Sequence, residues 1–303
     1  MISFKSTDLS VLFLFMKIFI LDGYNLIFRS FYGMPDLKRG DGFPTGMLHG
    51  WVRTLWSLED QFSPDRIVCA MDAGADEREA LQEDYKANRS ETPAELEQQI
   101  PWVERITPHM GIPLVSLPGC EADDVIGVLA EKFAARGDAV VLVSADKDLG
   151  QLVNASISQL YPPPTANPRL GWRMMNSEKI TEKFGVRPDQ IADYLALVGD
   201  SSDNIQGIPG VGPKTAAKWL NSYGNLQNIL QNSGRLKPPR FQMIVSESNE
   251  LLERNLQLTR LHLSLGVDLP EPIAPDGRAL IDLLKELEME KASRDAASRY
   301  MAV

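Results

Sequence analysis

Ala139–Asp148 reads AVVLVSADKD: five apolar residues, then a Ser-Ala pair, then two acids with one lysine between them. A continuous apolar run of this length fits a strand buried on both faces of a parallel sheet, not a half-exposed strand. The same grammar recurs along the chain. Lys17–Leu21 (KIFIL) runs into Asp22-Gly23, and Arg66–Met71 (RIVCAM) runs into Asp72. A weaker run, Ile112–Leu117, is followed by Pro118-Gly119-Cys120-Glu121. Helical spacing lies between these runs: Leu48, Trp51, Val52, Leu55, Leu58 and Phe62, and then Val125, Ile126, Leu129 and Phe133, which Gly137 ends. Strand and helix alternating in this way predict an α/β fold, a mostly parallel central sheet with helices on both faces.

In such a sheet ligands bind outside the carboxyl ends of the strands. Four strands deliver acids to that one edge: Asp22, Asp72, the group Glu121/Asp123/Asp124, and the pair Asp146/Asp148. Acids also favour the first turn of a helix, where they face the positive end of its dipole. That accounts for residues 121–124 taken alone, but not for acids at the ends of all the strands. Carboxylates this crowded repel one another unless cations compensate them. Oxygen-only ligands suit Mg²⁺ or Mn²⁺. Two such ions about 4 Å apart are the usual machinery for in-line attack on a phosphodiester.

The chain has 303 residues, 44% hydrophobic and 24% charged, which suits two or three globular domains. Cys69 and Cys120 stand far apart, which excludes a disulfide scaffold and a cysteine zinc site. Only three histidines are present and there is no HExxH. The formal charge of −10 argues against a polyanion-binding protein. It reads differently once the candidate ligands are set aside. Subtracting nine acids (Asp22, Asp72, Glu121, Asp123, Asp124, Asp146, Asp148, Asp200 and Asp203) from −10 leaves −1. Residues 205–260 carry seven basic side chains against three acids, a local +4.

Gly199-Asp-Ser-Ser-Asp-Asn-Ile205 adds two acids at i and i+3, which would share one face if the segment is helical. Gly207-Ile-Pro-Gly-Val-Gly-Pro-Lys-Thr215 follows. It approaches a P-loop, but Pro213 separates Gly212 from Lys214 and no buried strand precedes it. A hairpin between two helices fits better. Its glycines let backbone N–H groups approach a phosphate, and the following helix N-terminus adds its dipole. Such an element grips a nucleic-acid backbone without reading bases.

Taken in order, these pieces resemble the 5′-nuclease (flap endonuclease) family, in particular the bacterial 5′→3′ exonuclease domain. They are Leu21-Asp22-Gly23, Arg29, Pro44-Thr45-Gly46, Met71-Asp72, Tyr85-Lys-Ala-Asn-Arg89, Thr92-Pro93, Glu121-Ala-Asp-Asp124, Ala145-Asp-Lys-Asp-Leu149, Gly199 to Ile205, and Pro213-Lys-Thr-Ala216. The resemblance spans about Met16 to Leu269. It implies a PIN-like α/β core, a helical arch at about 76–100, and a helix–three-turn–helix that holds the duplex. It also implies cleavage by two metal ions near the 5′ ends or flaps of DNA. By resemblance, Asp22, Asp72, Glu121, Asp123 and Asp146 hold the first ion. Asp148, Asp200 and Asp203 hold the second with Asp146 bridging, and Asp124 supports the cluster. Arg78 and Lys86 are expected to act on the scissile strand. Tyr24, Arg29, Arg89, Gly210, Gly212, Lys214 and Thr215 are expected to contact DNA. Mg²⁺ is the expected ion, Mn²⁺ a substitute, and K⁺ a candidate at the hairpin. One departure stands out: residues 76–97 hold eight acids against Arg78, Lys86 and Arg89, an acidic arch.

Three other readings stay open on the residues alone, one of them a phosphotransfer domain that uses a single strand-end Asp as acceptor and needs only a few of these acids. A PIN-type ribonuclease shares the sheet and several acids but has no need of Asp200, Asp203 or the hairpin. A structure-specific DNA-binding module would need no turnover. The domain reading is a nuclease core over 16–176, a helical DNA-binding region over 177–270 and a tail over 271–303 with one amphipathic helix at about 279–290. Residues 1–15 read as a disordered extension or a misassigned start, because Val11–Leu21 is too short to span a bilayer and lacks the flanks of a signal peptide. The expected protein is a cytoplasmic monomer that takes no small-molecule cofactor.

Overall fold

The computed structural model describes residues 15–301, so all but the last residue of the 1–15 extension lies outside the described residues. Six strands form one sheet: β1 (Lys17–Asp22), β2 (Arg66–Ala70), β3 (Leu114–Val115), β4 (Ala139–Val143), β5 (Ile157–Tyr161) and β6 (Arg173–Met175). Their spatial order is β3-β2-β1-β4-β5-β6. All neighbours are parallel except β5 and β6. The chain builds outward from β1 to β3 and then returns to lay β4 on the other side of β1. The order therefore reverses between β1 and β4, where a parallel sheet opens its crevice.

The three apolar runs are central because both their faces are covered. On β1, Phe19 and Leu21 join a cluster with Leu48, Trp51 and Leu55 of the helix Gly46–Phe62. Ile18 and Ile20 point the other way, to Val125, Ile126 and Leu129 of the helix Ala122–Ala135. This is the two-residue period of a strand, with both faces buried.

The 271–303 region differs from the expectation. It forms two helices, Gly277–Glu286 and Glu290–Tyr300, broken where Glu288 adopts a positive φ of 55°. Leu280, Leu284, Leu287 and Met289 are buried in the same cluster as Trp51 and Trp56. Trp56 Nε1 donates to Tyr300 Oη at 3.2 Å. A separate core, built on Tyr194, Trp219, Leu220 and Phe241, holds the helical half of the chain together.

Residues 76–100 do not form a continuous helix. Before the next helix starts at Ile100, only Asp76–Leu81 and Ala94–Glu97 are helical, and turns run between them. The connecting stretch is drawn onto residues 201–204. The N–H of Lys86 donates to Asp203 O at 3.2 Å, and Asn204 Nδ2 donates to Asp84 Oδ2 at 2.9 Å. Hydrogen bonds to a second segment replace those of a helix.

Candidate active site

The acids line the carboxyl edge of four adjacent strands. Asp22 closes β1, Asp72 lies just past β2, Glu121 and Asp123 begin the helix after β3, and Asp146 and Asp148 follow β4. Asp22 is also the N-cap of the helix Gly23–Gly33: its Oδ1 accepts from Asn25 N at 3.1 Å. Gly23 is required next to it, since a Cβ there would lie 2.7 Å from the Ala70 carbonyl oxygen. Ser144 Oγ donates to Asp22 Oδ2 at 2.7 Å and accepts from Asp146 N at 2.9 Å, so one hydroxyl sets two of the acids. Asp72 Oδ1 accepts from the N–H of Ala122 at 2.9 Å. Asp146 Oδ1 accepts from Asp148 N, also at 2.9 Å.

The electrostatics tie this row into one site. Burial pushes the Asp22 carboxyl up to about 7; the hydrogen bond from Ser144 opposes the rise, and the charges of Asp146 and Asp72 add to it. Asp123 is raised well above the usual carboxylate range by burial, then by Asp146, Asp22, Asp148 and Asp72. Asp148 is raised likewise by burial and Asp146, against the pull of Lys147. Asp146 is thus the charge that Asp22, Asp123 and Asp148 all feel.

The helical half supplies the rest. The helix Ile191–Val198 ends at Gly199, and a two-stranded ribbon follows, Gly199–Asp200 against Ile205–Gln206. Asp200 and Asp203 share this ribbon and its turn, not the expected helix face; Gly199 and Asn204, with φ of 82° and 59°, end helical geometry on either side. One carboxylate oxygen each from Asp148, Asp200 and Asp203 lies within 4.8 Å of the others. Asp148 Oδ1 is buried and has no hydrogen-bond partner. An orphaned carboxylate oxygen beside two more carboxylates suits a hard cation.

Protein cations neutralise part of this charge. Lys147 Nζ lies 2.6 Å from Asp200 Oδ2, Arg89 Nη2 lies 2.7 Å from Asp203 Oδ1, and Lys86 pairs with Glu121 Oε1. Tyr85 Oη donates toward Glu121 Oε2 at 3.2 Å. Asp200 is lowered: burial raises it, but the hydrogen bonds from Lys147 and Ser202 outweigh that.

Two expectations need correction. Asp124 is not free to hold a metal. Arg78 grips it in a two-pronged pair, Nη1 to Oδ2 at 2.6 Å and Nη2 to Oδ1 at 2.9 Å, and the N–H of His262 donates to Oδ1 at 2.9 Å. Arg78 is not free to reach a strand either. It is 4% exposed, contacts Glu121 at 3.0 Å, and donates to the carbonyls of Leu258 and Arg260 at 3.0 and 3.2 Å. Four hydrogen bonds and one further ion pair hold the guanidinium in place.

The remaining candidates sit apart from these pairs. Tyr24 and Arg29 are half-buried on the helix Gly23–Gly33. Burial and then Asp72 raise the Tyr24 hydroxyl, while burial and Arg173 disfavour the Arg29 charge. Arg29 lines a cleft of about 250 Å³ with Ser30, Arg53, Thr54 and Trp172. In the hairpin, Gly210 has a φ of 79° and Gly212 caps the helix Pro213–Tyr223. Lys214 is exposed and Thr215 half-buried in its first turn. Ser144, Tyr85 and Lys147 are the site residues that the sequence reading did not assign. Lys147 left a signal as a cation between two acids, and Tyr85 as the first residue of the motif Tyr85-Lys-Ala-Asn-Arg89.

Comparison with known proteins agrees with this architecture. Residues 17–185 match the 5′-3′ exonuclease N-terminal resolvase-like domain, and residues 186–274 match the 5′-3′ exonuclease C-terminal SAM fold. A 5′-3′ exonuclease of Aquifex aeolicus (strain VF5) is 40% identical over 285 residues, 92% of this chain and 94% of that protein. Thermostable DNA polymerase I of Thermus thermophilus is 34% identical over 275 residues, 90% of this chain but 32% of the polymerase, so the chain spans about a third of that relative. Among solved structures, the bacteriophage T5 D15 flap endonuclease in a pseudo-enzyme-product complex with DNA and metal ions shares the fold, with a TM-score of 0.66 at 21% identity over 93% of this chain and 98% of that one.

Proposed function

The chain belongs to the 5′-3′ exonuclease family of metal-dependent nucleases, and from that premise we propose that it hydrolyses DNA phosphodiesters at 5′ ends and flaps with two divalent ions. The observation that carries this reading is the convergence of Asp148, Asp200 and Asp203, with one oxygen of Asp148 buried and unpartnered. All donors are carboxylate oxygens, which favours Mg²⁺ and admits Mn²⁺. Asp22, Asp72, Asp123, Asp146 and Glu121 would hold one ion, and Asp148, Asp200 and Asp203 the other. Divalent ions in such a site activate water and neutralise charge on the leaving oxygen.

The chain's own side chains do the positioning. Ser144 fixes the orientation of Asp22 and the loop carrying Asp146. Tyr85 and Lys86 bracket Glu121, and Lys86 brings a charge whose ionised form is favoured: burial opposes it, but Glu121 and Asp203 outweigh burial. Arg89, about half exposed, is placed to exchange Asp203 for a phosphate of the incoming strand. Gly210, Gly212, Lys214 and Thr215 form the backbone grip, and the resemblance makes K⁺ a candidate there. Arg29 and Tyr24 extend the DNA surface on the other side of Asp22. Two acids of the 76–97 segment are engaged internally: Asp84 accepts from Asn204 Nδ2, and Glu77 lies 2.8 Å from His262 Nδ1. Among the described residues no helix is long and apolar enough to cross a membrane. A cytoplasmic monomer acting in DNA replication and repair is the setting we assign.

Asp146→Ala is the direct test. It is expected to abolish Mg²⁺-dependent release of product from a 5′-labelled flap while leaving flap binding in Ca²⁺ near wild type. Near-normal turnover in the variant overturns the two-ion assignment.

A further inference from the structure

Lys147 stands between two proposed ligands in sequence, Asp146 and Asp148. Its side chain crosses to the helical half, where Nζ lies 2.6 Å from Asp200 Oδ2 and donates to Ser202 Oγ at 3.3 Å. The group Asp148/Asp200/Asp203 therefore contains a cation of its own, tethered to the loop that carries one of its acids. The Lys147 side chain keeps 31% of its surface exposed, so it can withdraw into solvent without unpacking the core. An ammonium is a compact point charge on a flexible stem, and withdrawal breaks only one strong pair.

We propose that Lys147 is a tethered counter-cation that competes with a divalent ion for Asp200 and so sets the metal concentration at which the Asp148/Asp200/Asp203 group fills. The proposal rests on the divalent-ion reading of that group given above. An ammonium and a doubly charged ion on the same carboxylate repel strongly. Each entry of an ion must then break the Lys147–Asp200 pair, a charge-assisted contact. In exchange, the three acids are not left mutually repelling at low metal concentration. The group is thereby built for moderate affinity, weaker than its three carboxylates alone would give.

The test counts bound Mn²⁺ by electron paramagnetic resonance of the free ion, on the full chain, with no DNA and no turnover. Wild type is compared with Lys147→Met, Lys147→Gln, Lys147→Arg and Asp148→Asn. Lys147→Met is expected to bind the group's ion roughly tenfold more tightly, equivalent to about 1.4 kcal/mol. Lys147→Gln keeps a hydrogen bond to Asp200 without the charge and should shift the same way, while Lys147→Arg stays near wild type. In EDTA, Lys147→Met should melt below wild type and recover more on adding Mn²⁺. Asp148→Asn should lose one ion. If it does, and neither neutral variant binds Mn²⁺ more tightly, the counter-cation role is overturned and Lys147 is only a positioning residue for Asp200. If Asp148→Asn loses no ion, the divalent-ion reading of the group fails, and this proposal fails with it.

Discussion

Replacing Arg78 by methionine is expected to destabilise the fold by about 4 kcal/mol, the middle of the range for removing one partner of a buried ion pair. The magnitude follows from what is left behind. Asp124 loses both guanidinium contacts, at 2.6 and 2.9 Å, and keeps only the N–H of His262. Its side chain is 3% exposed, so water cannot replace what is lost. Glu121 loses an ion-pair partner, and the carbonyls of Leu258 and Arg260 each lose a donor. Adding Asp124→Asn removes the stranded charge, so the double variant should be more stable than Arg78→Met alone. Urea denaturation in EDTA measures both. Single-turnover flap cleavage, run where each variant is still folded, gives the contrast. The reasoning is refuted if Arg78→Met costs under about 1 kcal/mol, the scale of a surface pair, while the cleavage rate falls by orders of magnitude. Arg78 would then belong to the DNA-contacting surface after all.

Asp22 offers a pH test. Its folded value is raised to about 7 from an ordinary 3.8. Between those values the folded state holds a proton that the unfolded state has released, so in EDTA stability falls as pH rises through this window. Asp22→Asn should therefore stabilise the fold at pH 8 and make little difference at pH 3, by denaturation at the two pH values; equal effects at both would remove the proposed burial penalty. Lys214→Ala should weaken flap binding about equally across DNA sequences and reduce the slope of log K against log salt by about one, the signature of one lost phosphate contact. An unchanged slope makes the hairpin a plain structural turn.

The central strands were legible because nothing polar interrupts them. β5 was not, because its sequence, Ile157–Tyr161, places Ser158 and Gln159 where an apolar run would be needed. Gln159 is fully buried, and its amide donates to the carbonyls of Ser144 and Asp146 at 3.1 and 2.5 Å. A residue that holds the loop of Ser144 and Asp146 thus hides the strand that carries it. The row of acids was readable because each follows a strand, and strand ends share an edge. Which acids were already taken was not readable. Asp124 and Asp123 are neighbours of one residue type on one helix turn. Only the packing of residues 76–81 and 258–262 against that turn shows that Asp124 belongs to Arg78. The pairs Lys147–Asp200 and Arg89–Asp203 likewise join residues far apart in sequence.

The helices Gly277–Glu286 and Glu290–Tyr300 complete the packing around Trp51 and Trp56, which lie near the start of the chain. During synthesis on the ribosome, the first apolar helices emerge long before the residues that cover them. One face of the sheet waits, with Trp56 unpaired from Tyr300 across 244 positions, until those two helices have been made. Contacts so distant in sequence slow folding and leave apolar surface open to chaperones and to neighbouring nascent chains in the meantime. The helices Gly277–Glu286 and Glu290–Tyr300 thus set when that face of the sheet closes.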